Sequence, residues 1–161
     1  SFHGGLIGII IGTYLFSLKT KTQILFFLDV IACVSPIGIF LGRIANFING
    51  ELIGKVTSVP WAIIFPSIDM APRHPSQIYE AFLEGVVLFY ILRFIISKKG
   101  YKIGTCSYMF LILYGIFRSI SEYFREPDAH IGYLFGVMST GTFLSLIMII
   151  AGLTTFNFLK K

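Results

Sequence analysis

Five apolar stretches, at roughly 3–18, 24–42, 76–96, 103–123 and 133–158, leave this chain few ways to fold. About 20 helical residues cross a bilayer, so all five are candidate spans, the first a short one. In lipid the backbone finds no water, so a spanning segment closes its own hydrogen bonds as a helix. A barrel needs short alternating strands, and these stretches are apolar on every side. Composition argues against a soluble alternative. Of 161 residues 55% are apolar, 17 are Phe and only 13% are charged, against about a quarter charged in soluble domains. A soluble domain of this size leaves much of its surface wet and cannot hide that apolar content. Disorder requires the opposite composition. The expected fold class is an all-α polytopic membrane protein with about five transmembrane helices. It forms one membrane-embedded domain over 1–161, with a small outer loop elaboration at about 43–75.

The connections set the expected orientation. Lys19 and Lys21 lie in the first, Lys98, Lys99 and Lys102 in the third beside Arg93, and Lys160 and Lys161 follow the fifth stretch. On a serpentine path these segments share one side, which then holds 8 of the 13 basic residues. By the positive-inside rule that side is cytoplasmic. The net charge of +5 is thus explained by topology and does not point to nucleic acid. Cys33 and Cys106 sit inside apolar runs, forming neither a disulfide framework nor a metal cluster. No cofactor or metal is expected. The chain opens Ser1-Phe2-His3 with no initiator Met and no basic signal-peptide region, and is read as the C-terminal part of a longer protein.

The outer side differs in kind. Four of the five arginines, Arg43, Arg73, Arg118 and Arg125, fall there, with Lys55 the only lysine. Polar groups in or near spans are costly and call for a reason. Arg118, Glu122 and Arg125 follow at i, i+4 and i+7, which puts them on one helical face. An internal salt bridge with Arg125 snorkelling is the plain reading of that trio. If the helix continues past residue 42, Arg43, Asn46 and Gly50 face one way. Ser76 is placed to N-cap the third span after Pro75, with Tyr79 in the aromatic belt. The segment 60–66 reads as a short strand or an interfacial anchor. Gly8 and Gly12 recur at helical spacing and read as a packing face, as Gly132 and Gly136 also could. Asp29, in the cytoplasmic half of the second span, reads as a structural pair or helix-end group. Arginine binds phosphate bidentately, so this outer layer, with its Asn, Gln, His and Glu residues, suggests an anionic phospholipid headgroup and chemistry upon it. No nucleophile elbow or paired-histidine zinc motif is present. The polar residues crowd one layer, which argues against a channel or transporter.

These same residues carry a resemblance. Gly42-Arg43-x-x-Asn46-Phe47-x-Asn49-x-Glu51-x-x-Gly54, His3-Gly4-Gly5-x-x-Gly8, Arg73-His74-Pro75-Ser76-Gln77-x-Tyr79-Glu80 and Tyr114-Gly115-x-x-Arg118-x-x-x-Glu122-x-x-Arg125-x-Pro127-Asp128 resemble, in order, the motifs of the bacterial prolipoprotein diacylglyceryl transferases. The likeness covers nearly the whole chain. Thr142 stands where that family usually has Gln, and Ser119 where it has an aromatic residue. Members also carry further transmembrane sequence, with an important Tyr, before the first of these motifs.

The resemblance implies a reaction in the bacterial cytoplasmic membrane, with the site toward the outer side. The sn-1,2-diacylglyceryl group of phosphatidylglycerol passes to the lipobox cysteine thiol of a prolipoprotein signal peptide. A thioether forms and glycerol phosphate leaves. Arg43 and Arg118 are the candidate phosphate clamp, and His3 the candidate general base. Asn46, Asn49, Glu51, His74, Gln77, Glu80, Glu122 and Arg125 are candidates for substrate binding, with Glu122 also holding Arg118. The alternative is a phospholipid-binding membrane fragment without catalysis.

Overall fold

The computed structural model describes residues 2–126, 133–134 and 138–160, the side chains of Phe2, His3, Leu6, Tyr133, Leu134 and Met138 excepted. It is mostly helical. Helices α1 (Phe2–Thr20) and α2 (Ile24–Asn49) come first. A two-residue ladder of β1 (Ile63–Ile64) against β2 (Pro72–Arg73) follows, antiparallel, with Ile63 opposite Arg73. Helix α3 (Ser76–Glu80) runs without a break through a π-helical segment (Ala81–Val87) into α4 (Leu88–Ile96). Then come α5 (Thr105–Glu122), a second ladder of β3 (Tyr133–Leu134) with β4 (Met138–Ser139), and α6 (Thr140–Lys160). Among the described residues α2 and α6 are long and apolar enough to cross a membrane.

The core is narrow. Ala32, Leu88, Leu92 and Cys106 are buried where α2, α4 and α5 meet, with Met109, Leu113 and Phe117 packed against them. The outward faces stay apolar, as at Leu15, Leu41, Phe94, Ile147 and Phe158. Such a surface suits lipid and is far larger than water tolerates on one domain.

Small residues set the helix spacing, but not the expected ones. A Cβ on Gly115 would lie 2.7 Å from the Ser145 carbonyl oxygen, and one on Gly152 would lie 2.9 Å from that of Tyr108. These contacts run in opposite directions along the chain, so α5 and α6 pack antiparallel with their backbones nearly touching. Gly8 and Gly12, expected to form a packing face, have no neighbour among the described residues within 4 Å of an added Cβ. Their helix meets α2 near its other end, where Phe16 stacks edge-on against Phe27. Gly132 and Gly136 lie outside the described residues.

Three local expectations are corrected. The fifth apolar stretch does not begin as helix at 133. β3 and β4 precede α6, and the Ser139 hydroxyl accepts the Thr142 N–H at 3.2 Å as an N-cap. Ser76 is not a cap: the cap position is Pro75, and the Ser76 hydroxyl donates to the Leu52 carbonyl at 3.0 Å. Arg125 is off the helical face of Arg118 and Glu122, because α5 ends at Glu122 and Arg125 forms a backbone bridge with Gly54.

That bridge belongs to a strap closing the arginine-rich end. Helix α2 continues to Asn49 and stops at Gly50, whose φ of 68° suits glycine and whose N–H bonds back to Asn46 and Phe47. The chain then returns across α3 and α5. Lys55 N–H bonds to Phe124 O at 2.9 Å, Glu126 N–H to Ile53 O at 3.1 Å, and His74 N–H to Lys55 O at 3.0 Å. Residues 60–66 contribute β1 to the same strap.

Candidate functional site

Three segments converge beneath the strap. Helix α2 brings Arg43, α3 and the π segment bring Glu80 and Glu84, and α5 brings Arg118 and Glu122. Arg43 Nε lies 2.9 Å from Glu80 Oε2, and its Nη2 donates to Glu84 Oε2 at 3.2 Å. Arg118 Nη1 donates to Glu80 Oε1 and lies 3.8 Å from Glu84 Oε1, while its Nη2 is 2.6 Å from Glu122 Oε2. Glu80 therefore bridges both guanidinium groups. The side chains of Glu80 and Glu84 are fully buried, and those of Arg118 and Arg43 are 9% and 16% exposed. Leaving one buried charge unpaired costs about 3–5 kcal/mol, which explains why these five groups occur together.

The two arginines are held differently. Arg118 faces three carboxylates. Arg43 presents only its Nε and Nη2 edge to carboxylates, and its Nη1 has no partner among the described residues. Glu122 fits because residue 141 is glycine: a Cβ there would lie 2.7 Å from Glu122 Oε2. The first turn of α6 thus closes the third side of the cluster.

The other candidates are distributed around this centre. Gln77 is fully buried and donates to the Glu51 carbonyl at 2.6 Å, so it anchors the strap. Asn46 is half-buried one turn beyond Arg43, while Asn49 and Glu51 are exposed. Arg125 is buried beneath the strap. Arg73, grouped with the outer arginines from sequence, is committed to the strap itself. It makes a fork to Asp69, with Nη2 at 2.5 Å from Oδ2, and donates to Gly54 O at 3.0 Å. That hydrogen-bonded fork holds the Asp69 carboxyl below the usual aspartate range. His3 falls in α1, but its side chain lies outside the described residues, as do Pro127, Asp128 and His130.

His74 lies against an apolar groove of about 480 Å³ beside the cluster, lined by Ile78, Phe82, Leu83, Ile120 and Phe124 among others. Trp61 Nε1 donates to the Tyr79 hydroxyl at 2.7 Å, and that oxygen is 3.2 Å from His74 Nδ1. The indole can only donate, so the Tyr79 hydroxyl accepts from Trp61, and the direction of its contact with His74 Nδ1 follows the histidine tautomer.

Sequence reasoning missed Glu84. The signal was available: it is a carboxylate within an apolar span, four residues after Glu80, and such a residue marks a site by default.

A mostly helical membrane protein with a buried and a half-buried arginine bridged by carboxylates at one end is the class that fold and site define. The chain belongs to the prolipoprotein diacylglyceryl transferase family, whose model matches residues 1–158. Relatives named phosphatidylglycerol–prolipoprotein diacylglyceryl transferase include those of Rickettsia canadensis, 50% identical over 158 residues, and Rickettsia akari, 53% identical over 154. In both the match covers 94% of this chain. The Idiomarina loihiensis relative is 49% identical over all 161 residues. The chain spans about 60% of the length of these relatives.

Proposed function

We propose that this chain forms the arginine-bearing part of an enzyme transferring the sn-1,2-diacylglyceryl group of phosphatidylglycerol to the lipobox cysteine of a prolipoprotein. The observation that carries this reading is Arg43: its guanidinium plane is fixed by Glu80 and Glu84 while its Nη1 has no partner among the described residues. An arginine held so is prepared to accept a phosphate without reorganising, the condition under which charge stabilisation is strongest. In this reading all five helical rods span the bacterial cytoplasmic membrane. The lysine end is inside and the arginine end faces outward.

The reaction forms an S–C bond to the glyceryl carbon and breaks that carbon's bond to the phosphate ester oxygen. Glycerol phosphate departs with the bonding pair. The thiol, with an ordinary pKa of about 8.5, loses its proton before or during attack. His3 is the proposed acceptor of that proton. Arg43 holds the phosphate and the charge growing on the leaving oxygen. Arg118 acts with it from the other side of Glu80. Glu80 and Glu122 act on the substrate through the arginines, since both are engaged by them. Asn46 orients the headgroup. Asn49 and Glu51 meet headgroup hydroxyls or the lipobox backbone, with His74, Gln77 and Arg125 shaping that edge. The apolar groove beside the cluster offers a place for an acyl chain.

Complementation tests the reading. A bacterium depleted of its own transferase should recover lipoprotein modification when given the complete gene that carries this sequence. Recovery should be lost with Arg43→Ala. Failure of the wild-type gene to restore modification, with the protein present in the membrane, would reject the reaction.

A further inference from the structure

We propose that Glu84 is a positioning residue that sets the open edge of Arg43, a deeper reading of the site that rests on the transfer reaction above. Nothing in that reaction uses Glu84 directly, yet it is a fully buried carboxylate within an apolar rod. Such a group persists only where it has a task. Its Oε2 accepts from Arg43 Nη2 at 3.2 Å, and its Oε1 faces Arg118 Nη1 at 3.8 Å.

A guanidinium tied only at Nε can swing about its side-chain bonds. With Glu80 at Nε and Glu84 at Nη2, the whole side edge of the fork is held. The end edge, with Nη1, then points in one direction. Glu84 thereby converts a mobile charge into an oriented donor pair, which matters because bidentate recognition of phosphate depends on angle as well as distance.

The backbone is built to allow this contact. Glu84 lies in the π segment, and π turns inside helices occur frequently at functional sites. Its neighbour Gly85 abuts α2 three residues before Arg43: a Cβ on Gly85 would lie 2.7 Å from Phe40 Cβ and 3.1 Å from Phe40 Cα. Any side chain there pushes the π segment off α2 and carries Glu84 away from Arg43. Two adjacent residues thus serve one contact.

The test is steady-state kinetics of the complete protein in lipid vesicles, varying phosphatidylglycerol and a lipobox peptide separately. Glu84→Gln should raise KM for phosphatidylglycerol by about 10- to 100-fold, the scale of losing one hydrogen bond between charged groups. KM for the peptide should not change, and kcat per inserted molecule should fall by less than KM rises. Glu84→Asp should recover part of the loss. Gly85→Ala should reproduce the same phospholipid-specific change with the carboxylate still present. Unchanged phospholipid KM in Glu84→Gln, or a fall in kcat alone, would overturn the proposal and leave Glu84 a packing element. If Glu84→Gln does not accumulate in the membrane, Glu84→Asp and Gly85→Ala decide by the same criterion. A wild-type protein that transfers nothing from phosphatidylglycerol would instead reject the underlying reaction.

Discussion

At the lysine end of the molecule Asp29 is as deeply buried as Glu80 and Glu84 at the arginine end, yet it is satisfied by uncharged donors. Gly104 N–H and Ser107 N–H reach it at 2.6 and 2.7 Å, the Ser107 hydroxyl at 2.6 Å, and the Tyr101 hydroxyl completes the set. Asp29 of α2 therefore caps α5 from across the bundle, where the positive end of the helix dipole favours it. The donors there are backbone N–H groups and the hydroxyls of Ser107 and Tyr101, and they occupy both carboxylate oxygens. At the other end the donors are two guanidinium forks with more N–H groups than the carboxylates use. One end locks helices together. The other locks helices together and keeps a cationic edge available.

The sharpest way to break this comparison is to remove the fork without removing the charge. Arg43→Lys should lower transfer by about 10²-fold or more, as losing one preorganised donor does elsewhere, measured per inserted molecule. Asp29→Asn should leave the transfer rate per folded molecule near wild type. Equal losses in both variants would mean that the two ends do the same structural work.

Stability should reverse that ranking. Asp29→Asn gives up charge-assisted bonds to buried donors and should destabilise by about 1.5–3 kcal/mol. Thermal denaturation in detergent would show it. A melting curve that does not move would argue that Tyr101 and Ser107 rearrange around the amide.

The sequence disclosed the two ends unequally. Hydropathy was enough to mark five helical rods, and Asp29 was readable as a structural pair or a helix-end group, of which the structure shows the second. The arginine layer was visible too, as a concentration of Arg, Asn, Gln and Glu. What could not be read was which arginines go where. Arg73 and Arg118 look alike in sequence, but the strap turns Arg73 to Asp69 and Gly54, while α5 carries Arg118 inward. Glu84 escaped notice because the motif before it ends at Glu80, although its spacing is that of a same-face pair. The glycines were the hardest to place. The periodic Gly8 and Gly12 meet no neighbour among the described residues, whereas the isolated Gly54, Gly115 and Gly152 carry close contacts set by distant chain.

Glycine substitutions sharpen that last point. A Cβ on Gly54 would lie 2.2 Å from the His74 carbonyl oxygen, with backbone on both sides of the clash. Gly54→Ala should therefore cost about 1–3 kcal/mol, as overpacking commonly does. It should also loosen the strap over the arginines. Gly8→Ala meets no neighbour among the described residues and should stabilise α1 slightly, by about 0.5–1 kcal/mol. Paired melting curves would check both, and a Gly54→Ala protein as stable as wild type would show that the strap adjusts freely.

The smallest effect concerns the pair at the surface of the strap, Asp69 with Arg73, which calibrates the two buried ends against an open one. The Arg73 fork and the Ala71 N–H hold the Asp69 carboxyl below its ordinary range. The folded strap then binds a proton less readily than the unfolded chain does. Its contribution is fully present above the ordinary aspartate pKa of about 4, and is lost as pH falls through the lower folded value. Asp69→Asn removes that contribution at every pH. The difference between wild type and variant, followed by limited proteolysis of residues 51–75, should be present and modest from neutral pH down to about 4, and should shrink under further acidification. A difference that persists undiminished in acid would mean that Asp69 supports the strap as a hydrogen-bond acceptor for Ala71 and not as a charge. The arginine that sequence grouped with the phosphate-binding layer would then be holding its loop without electrostatic help.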